Sequence, residues 1–462
     1  MAKSVIVVGG GIAGLTAASR LAQNSNFTVV LLEGSDRVGG RVHTVKEEFA
    51  GQTETVELGA QCIHGEGSIY NLAKSYGEGL TEDNPFLELM ETNSDFGTSS
   101  GKGFPPDVLK KCFELYKVMG EGPSEKDCKD ISFGNWFLNK IKADLLSQDA
   151  RMKAFIEWLE KLQMSVDAPD SWHELSVRGT MEYKTCPGCP TIFWTQGYQT
   201  LINIILNENP SVSDLPSWVK LNSKVTEINY SQKPIVTRTE DGTIYEADAV
   251  IVAVSLGVLK SVHGTLFQPE LPAGKVQTIE NLGFGTVNKI HCKFEATWWD
   301  AEWLGLNLLW MDEDREEFPK WATSILGFYT FKSCPRTLTA WITGEQAREM
   351  EKVDIEEVSE MVHKILRRFM NKDNIPKPTV SMTKWFNDPL FRGCYSFRSV
   401  QSEENDVWAK DLAEPIPVPS QGLLCFAGEA THSCYYATVH GAYDTGVREA
   451  NRLTQFFDEM EK

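Results

Sequence analysis

SVIVVGGGIAGLTAASRLAQ, residues 4–23, begins with a short apolar run, turns through three consecutive glycines and continues into an apolar, alanine-rich segment. Ser4–Val8 reads as a strand, and the residues up to Leu21 read as a helix that the glycine loop opens. A second strand, Phe27–Leu32, completes a βαβ unit. In the pattern Gly9-x-Gly11-x-x-Gly14, each glycine has a mechanical task. Gly9 permits the tight turn, Gly11 lets backbone N–H groups approach a pyrophosphate, and Gly14 lets the helix pack on the sheet. Ala13 belongs to the same cofactor-binding turn. The helix N-terminus contributes partial positive charge to the anion. Glu33, 19 residues after Gly14, ends the second strand and is placed to accept hydrogen bonds from ribose hydroxyls. The motif marks a dinucleotide site but does not by itself separate NAD from FAD.

Beyond this unit the pattern changes. Residues from about 80 to 195 show helical patches such as Met152–Met164, joined by polar loops. Strand-like runs return at Lys220–Tyr230, Ile244–Val254 and Val287–Phe294. Asp354 is expected to cap a helix reaching Met370, with Glu357 closing a capping box. Its apolar stripe is Ile355, Val358, Met361, Val362, Ile365, Leu366 and Phe369. Gly/Tyr/Thr-rich loops and a helix over Ala442–Phe457 end the chain. Dinucleotide signals at both ends, with unlike material between, make the cofactor domain discontinuous. The expected fold is α/β, a Rossmann-like FAD-binding domain beside an α+β substrate-binding domain. The first takes residues 1–80, 195–268 and 390–462, and the second takes 81–194 and 269–389.

The composition sets limits. The 462 residues are 42% hydrophobic and 24% charged, enough apolar material to bury a large core. The net charge of -19, with no Lys/Arg-rich run, argues against a nucleic-acid partner. No apolar stretch reaches the roughly 20 residues of a spanning helix, so no membrane partner is expected. MAKSVIVVGGGIAG lacks the order of a signal peptide, and FFDEMEK is no peroxisomal SKL-type ending, so the reading is cytoplasmic. Ten irregularly spaced cysteines point to a reducing compartment, and Cys186-Pro-Gly-Cys189 reads as a turn. No metal site is expected, and oligomeric state is not readable.

Two further segments turn the dinucleotide reading into FAD. Arg37-Val-Gly-Gly-Arg41 follows the acid directly, and Phe426-Ala-Gly-Glu-Ala-Thr-His432 lies near the C-terminus. Together they resemble the flavin fingerprints of the FAD-dependent amine oxidases. The resemblance implies that Arg41, Gly428 and Glu429 contact the cofactor. It also implies that backbone at Val225 reaches the adenine, and that Val439 and the last helix point at the flavin pyrimidine. Within that family the chain most resembles the polyamine oxidases of the acetylpolyamine and spermine type. The runs that carry this are ELGAQCIHG (57–65), LGFGTVNKI (282–290), RGCYS (392–396) and YYATVHGA (435–442). They cover roughly residues 3–70, 178–295 and 383–452, and the likeness is thin over 86–175 and 296–345.

The resemblance also implies roles. Lys289 matches the lysine that holds a water against flavin N5 and supports oxygen reduction, where negative charge builds up. His64 matches a histidine that accepts a proton from, or orients, the substrate nitrogen. Tyr395 matches one wall of an aromatic cage whose opposite wall is here Thr438. Glu182 and Tyr183 resemble a GEY segment, in which Glu182 pairs with a distal ammonium or stands as a plain surface carboxylate. Trp385 packs near the isoalloxazine or simply in the core. Cys62 stands where Trp is usual. Cys394 precedes the cage tyrosine as the covalent flavin cysteine of monoamine oxidases does; the other reading is a small buried Cys in place of Ser.

The expected activity is oxidation of spermine, spermidine or their N-acetyl forms by hydride transfer to FAD N5, with O2 returned as H2O2. The partners are thus a polyamine and O2. Rival readings are a monoamine oxidase-like enzyme with covalent FAD at Cys394 and a flavin-binding interaction protein without turnover. An amino-acid oxidase would need a cation for the substrate carboxylate, and the sequence offers no convincing candidate. A histone-lysine demethylase is less expected, because the sequence shows no long coiled-coil insertion.

Overall fold

A computed structural model describes residues 2–49, 51–82, 94–100, 105–128, 132–142, 149–206 and 215–460. Its organising element is a six-stranded sheet whose third and fourth strands are Ala249–Val252 and Lys3–Val8. Phe27–Leu32 and Val219–Lys220 extend the sheet on one side, and Gly422–Phe426 and Ile416–Val418 on the other. Every pair is parallel except the last, which closes as an antiparallel hairpin.

The run VIVV is apolar throughout because both faces of this sheet are covered. Val5 and Val7 pack with the helix Ile12–Ala22 and the C-terminal helix Val439–Met460. Ile6 and Val8 pack on the other side with Leu256, Leu259 and Phe267. The two helices lie against each other so closely that a Cβ on Gly446 would stand 2.4 Å from the Ala13 carbonyl oxygen. The last helix starts at Val439, three residues before the expected Ala442, because the Thr438 hydroxyl caps it by accepting from the Gly441 N–H at 3.0 Å.

A second six-stranded sheet runs Thr379–Met382, Val287–Lys293, Thr337–Thr343, Gly327–Tyr329, Gly305–Leu309 and Ser94–Thr98. The helix Ile355–Met370 covers it, burying Val358, Val362, Ile365, Leu366 and Phe369 against Ile290, Leu338 and Ile342. Asp354 caps this helix as expected, accepting from the Glu356 N–H at 2.9 Å. Among the described residues no reciprocal bond from Glu357 closes a box, and Ile355, at the first turn, points to solvent.

Two predicted strands divide. Lys220–Tyr230 becomes the end of Val219–Lys220 and the strand Val225–Asn229, while Ile244–Val254 becomes Ile244–Ala247 and Ala249–Val252. The first run passes from the parallel sheet to a separate four-stranded sheet and the second passes back, so one apolar run serves two layers. The breaks fall at polar residues, Asn222 with φ +52° and Asp248, whose carboxylate accepts from the Ser4 N–H at 2.7 Å.

Gly14 is the tightest point of the glycine turn. A Cβ there would sit 1.9 Å from the Gly9 carbonyl oxygen. Gly14→Ala is therefore expected to lower stability by about 1–3 kcal/mol, the range for overpacking, visible as a lower Tm of the holoprotein. An unchanged Tm would mean that the turn relaxes freely.

Candidate active site

One cavity of about 1110 Å³ runs through the molecule, and its walls begin at the glycine turn. Gly9 holds φ +105°, which allows the turn, and Gly40 at φ +61° brings the RVGGR loop against Gly11. A Cβ added to Gly11 would meet nothing within 4 Å, so the space over this residue is kept open towards the cavity rather than filled by protein. That is the fit expected for a backbone cradle around a pyrophosphate. Gly9, Gly11, Ala13, Glu33, Arg41, Val225, Gly428, Glu429 and Val439 all line the same cavity. Gly14 does not; it acts behind the turn.

Two acids in this half carry duties of their own. Glu33 accepts from the Gly10 N–H at 2.6 Å and from the Ser35 N–H and hydroxyl at 2.8 and 2.9 Å. It thereby builds the loop and retains acceptor capacity towards the cavity. Glu429 accepts from Arg41 at 3.0 Å, from the Ser396 hydroxyl at 2.6 Å and from the Ala437 N–H at 2.8 Å. It was expected to contact the cofactor; its carboxylate chiefly ties three cavity walls together. Arg37 is absent from the lining and donates to the Gly40 and Val42 carbonyls, so of the two arginines in the loop Arg41 faces the ligand space.

The other half of the cavity gathers the chemistry. Lys289 projects from the strand Val287–Lys293 and donates to the Glu57 and Gly59 carbonyls and to the Gln61 side chain, each at 2.9 Å. Three acceptors match the three N–H bonds of an ammonium group. Burial pulls its pKa down to about 8, against the opposing charge of Glu57, so it stays mostly protonated at pH 7. His64 opens onto the cavity, with Nδ1 at 3.3 Å from the Pro190 carbonyl oxygen. A carbonyl only accepts, so Nδ1 carries the proton and the Nε2 lone pair is free. Desolvation pushes the imidazole below its ordinary pKa and keeps it neutral at pH 7.

Tyr395, Thr438, Tyr183 and Trp385 line the cavity as well. The Tyr395 hydroxyl donates to the Ser165 carbonyl at 2.7 Å, Tyr183 meets Tyr436 edge-on at 5.5 Å, and Trp385 meets Phe391 edge-on at 5.1 Å. Cys394 reaches the cavity, but its thiol donates to the Val287 carbonyl at 3.0 Å and accepts from the Val287 N–H at 3.1 Å. Burial pushes this thiol up to about 12, which leaves little thiolate for attachment to a flavin.

Glu182 is a correction. It is not part of the cavity wall; its carboxylate turns to Arg398 at 3.4 Å, a guanidinium buried against the Tyr436 ring. That contact, and its place outside the cavity lining, favour the structural one of its two readings. The acid that does face this end of the cavity is Asp167, which the sequence reading missed. It ends the helix Ala150–Asp167, receives a bond from Gln163 at 2.5 Å, and is pushed up to about 6 by desolvation. Its signal was an acid in the last helical turn, against the dipole.

Because the folded Asp167 carboxyl binds its proton more tightly than an unfolded one, its contribution to stability is present at low pH and lost as pH rises through about 6. Asp167→Asn is expected to gain on the wild type by on the order of 1 kcal/mol between pH 4 and pH 8, read from paired urea melts. A difference independent of pH would refute the buried assignment.

The chain has known relatives. The family described as flavin containing amine oxidoreductase matches residues 12–454. The peroxisomal N(1)-acetyl-spermine/spermidine oxidase of Bos taurus is 31% identical, covering 98% of this chain and 95% of its own. The Homo sapiens protein of the same name is 32% identical, with 97% and 94% covered. Probable polyamine oxidase 5 of Arabidopsis thaliana is 29% identical, with 98% of both covered. A solved putrescine oxidase, the wild type bound to putrescine, superposes with a TM-score of 0.72 over 98% of this chain and 99% of its own, at 19% identity. That likeness carries the fold. The glycine cradle, the single cavity and the full-length match converge on one conclusion: the chain belongs to the flavin-containing amine oxidoreductase family and takes FAD.

Proposed function

We propose that the protein oxidises polyamines, namely spermine, spermidine or their N-acetyl derivatives, with O2 as acceptor. The observation that carries this reading is one continuous cavity, which joins the glycine cradle to Lys289, His64 and Asp167. The substrates named for the relatives support it. FAD, held by the Gly9–Gly14 turn, Arg41 and the N-terminus of the last helix, supplies the two-electron acceptor that takes hydride from the carbon beside nitrogen. The oxidised C–N bond is hydrolysed to an aldehyde and a shorter amine, and O2 leaves as H2O2.

The chain's own residues prepare the amine. An ammonium cannot lose hydride from its carbon, so a proton must first leave the nitrogen. His64 Nε2 is the free acceptor facing the cavity and takes that role. Tyr395 and Thr438 narrow the chamber, and Asp167 pairs with a second ammonium further along the chain of the substrate. Lys289 holds a positive charge at the cavity wall, where reduction of O2 builds negative charge. Trp385 shapes the same wall. The engaged thiol of Cys394 favours a flavin held without a covalent bond.

We assign residues 1–80, 195–268 and 390–462 to cofactor binding, and 81–194 and 269–389 to the substrate side. Lys289, on the second sheet, then meets the glycine turn, on the first, across the cavity. Residence in the cytoplasm belongs to the same proposal and is supported by ten cysteines that all stand as free thiols.

Peroxide release is to be measured from the holoenzyme with spermine, spermidine, N1-acetylspermine, benzylamine and tyramine. Turnover confined to the polyamines is the expected result, and turnover of the aryl amines instead would overturn the reading. Lys289→Met is expected to slow flavin reoxidation in stopped flow by at least about tenfold while FAD stays bound, the scale of losing a charge aimed at a developing anion. Wild-type reoxidation would remove Lys289 from the oxygen step.

A further inference from the structure

The turn Cys186-Pro187-Gly188-Cys189 is placed where a turn alone has no reason to carry two thiols. Gly188 holds φ +83° after Pro187, the pattern of a type II turn. Such a turn brings its first and fourth Cα atoms within about 7 Å, a range that overlaps the roughly 4.4–6.8 Å of disulfides. The turn is fastened to the loop that carries His64. The Glu66 N–H donates to the Pro187 carbonyl at 2.7 Å, and His64 Nδ1 stands at the Pro190 carbonyl. Cys186 packs flush on that loop, since a Cβ on Gly65 would meet the Cys186 Cβ at 2.7 Å and one on Gly67 its Sγ at 3.0 Å.

Cys186 lines the cavity beside the exposed Thr185, at its rim, close to Tyr435. Cys189 is also half-buried, and its thiol donates to the Thr191 carbonyl at 3.1 Å. The other thiols of the cavity are poor rivals, because burial pushes both Cys62 and Cys394 up to about 12. Among the described residues no group of three or more His, Cys, Asp or Glu side chains is arranged to hold a metal, so the pair is not half of a metal site.

We propose that Cys186 and Cys189 form a redox-active dithiol, oxidised to a disulfide by the H2O2 that the enzyme itself releases through this rim. The inference rests on the oxidase reading for its oxidant. The Cys186 sulfur attacks peroxide, the O–O bond breaks, and a sulfenic acid forms while the thiol proton leaves in water. The Cys189 sulfur then attacks that sulfur. An S–S bond forms, the S–O bond breaks, and a second water departs. Two thiols thus give two electrons and two protons to one H2O2, yielding a disulfide and two waters.

The test uses the full-length holoenzyme in two arms, amine turnover under O2 and added H2O2 without amine. Free thiols are alkylated before tryptic digestion. Cleavage after Lys184 and Lys220 isolates a peptide whose cysteines are Cys186 and Cys189 alone. In both arms this peptide is expected to lose two hydrogens and escape alkylation, and dithiothreitol is expected to reverse this. Cys189→Ser is expected to leave a sulfenic acid at Cys186 that dimedone traps. Alkylatable Cys186 and Cys189 after measured peroxide release would overturn the proposal. A disulfide with added H2O2, but no peroxide from any amine, would uphold the dithiol and overturn the oxidase reading instead.

Discussion

The buried carboxylate of Glu429 is the joint on which the cavity depends. It receives Arg41 from the RVGGR loop, Ser396 from beside the cage tyrosine and the Ala437 N–H just ahead of the last helix. These three segments are far apart in sequence and form adjoining cavity walls. A buried charge is tolerated only when its lone pairs are satisfied, so the carboxylate holds all three in register. Arg41 adds a bond to the Cys394 carbonyl, extending the joint to the strand that leads into Tyr395.

Lys289 solves the same problem with the opposite sign. Its strand lies in the second sheet, yet its ammonium is bound by carbonyls of Glu57 and Gly59 and by Gln61, next to the turn that carries Cys62 and His64. Burial alone would drive it towards the neutral amine; three acceptors and the nearby Glu57 charge restrain that shift. The cation therefore both staples the second sheet to the segment 57–61, which ends a separate two-stranded hairpin, and lines the cavity. Replacing it removes a staple as well as a charge, which is why FAD retention has to be read beside the oxygen step.

Much of this was legible beforehand where the signal is local. The strand–glycine–helix unit, Glu33 and the capped helix after Asp354 came from short runs whose spacing has a mechanical meaning, while Lys289, His64, Tyr395 and Thr438 came from the resemblance of their runs to the amine oxidases, and all four line the cavity. What stayed open depended on partners that arrive from elsewhere. Glu182 kept two readings because nothing near it in sequence shows Arg398, 216 residues away. Asp167 went unnoticed because no motif contains it; its oddity is an acid at the wrong end of a helix. Cys394 kept two readings for the same reason, because its thiol bonds to Val287, 107 residues away.

The amino-acid sequence by itself determined the dinucleotide half, because the turn, the helix and the acid are neighbours along the chain and constrain one another through a few bonds. It also determined the family, because separated runs kept their order. Only the tertiary structure decided that Asp167 rather than Glu182 lines the cavity, that Lys289 has all three protons placed, and that a Pro-Gly turn with two thiols lies on the cavity rim. Those outcomes depend on which distant segments pack together, and burial energy, not local spacing, selects the partners.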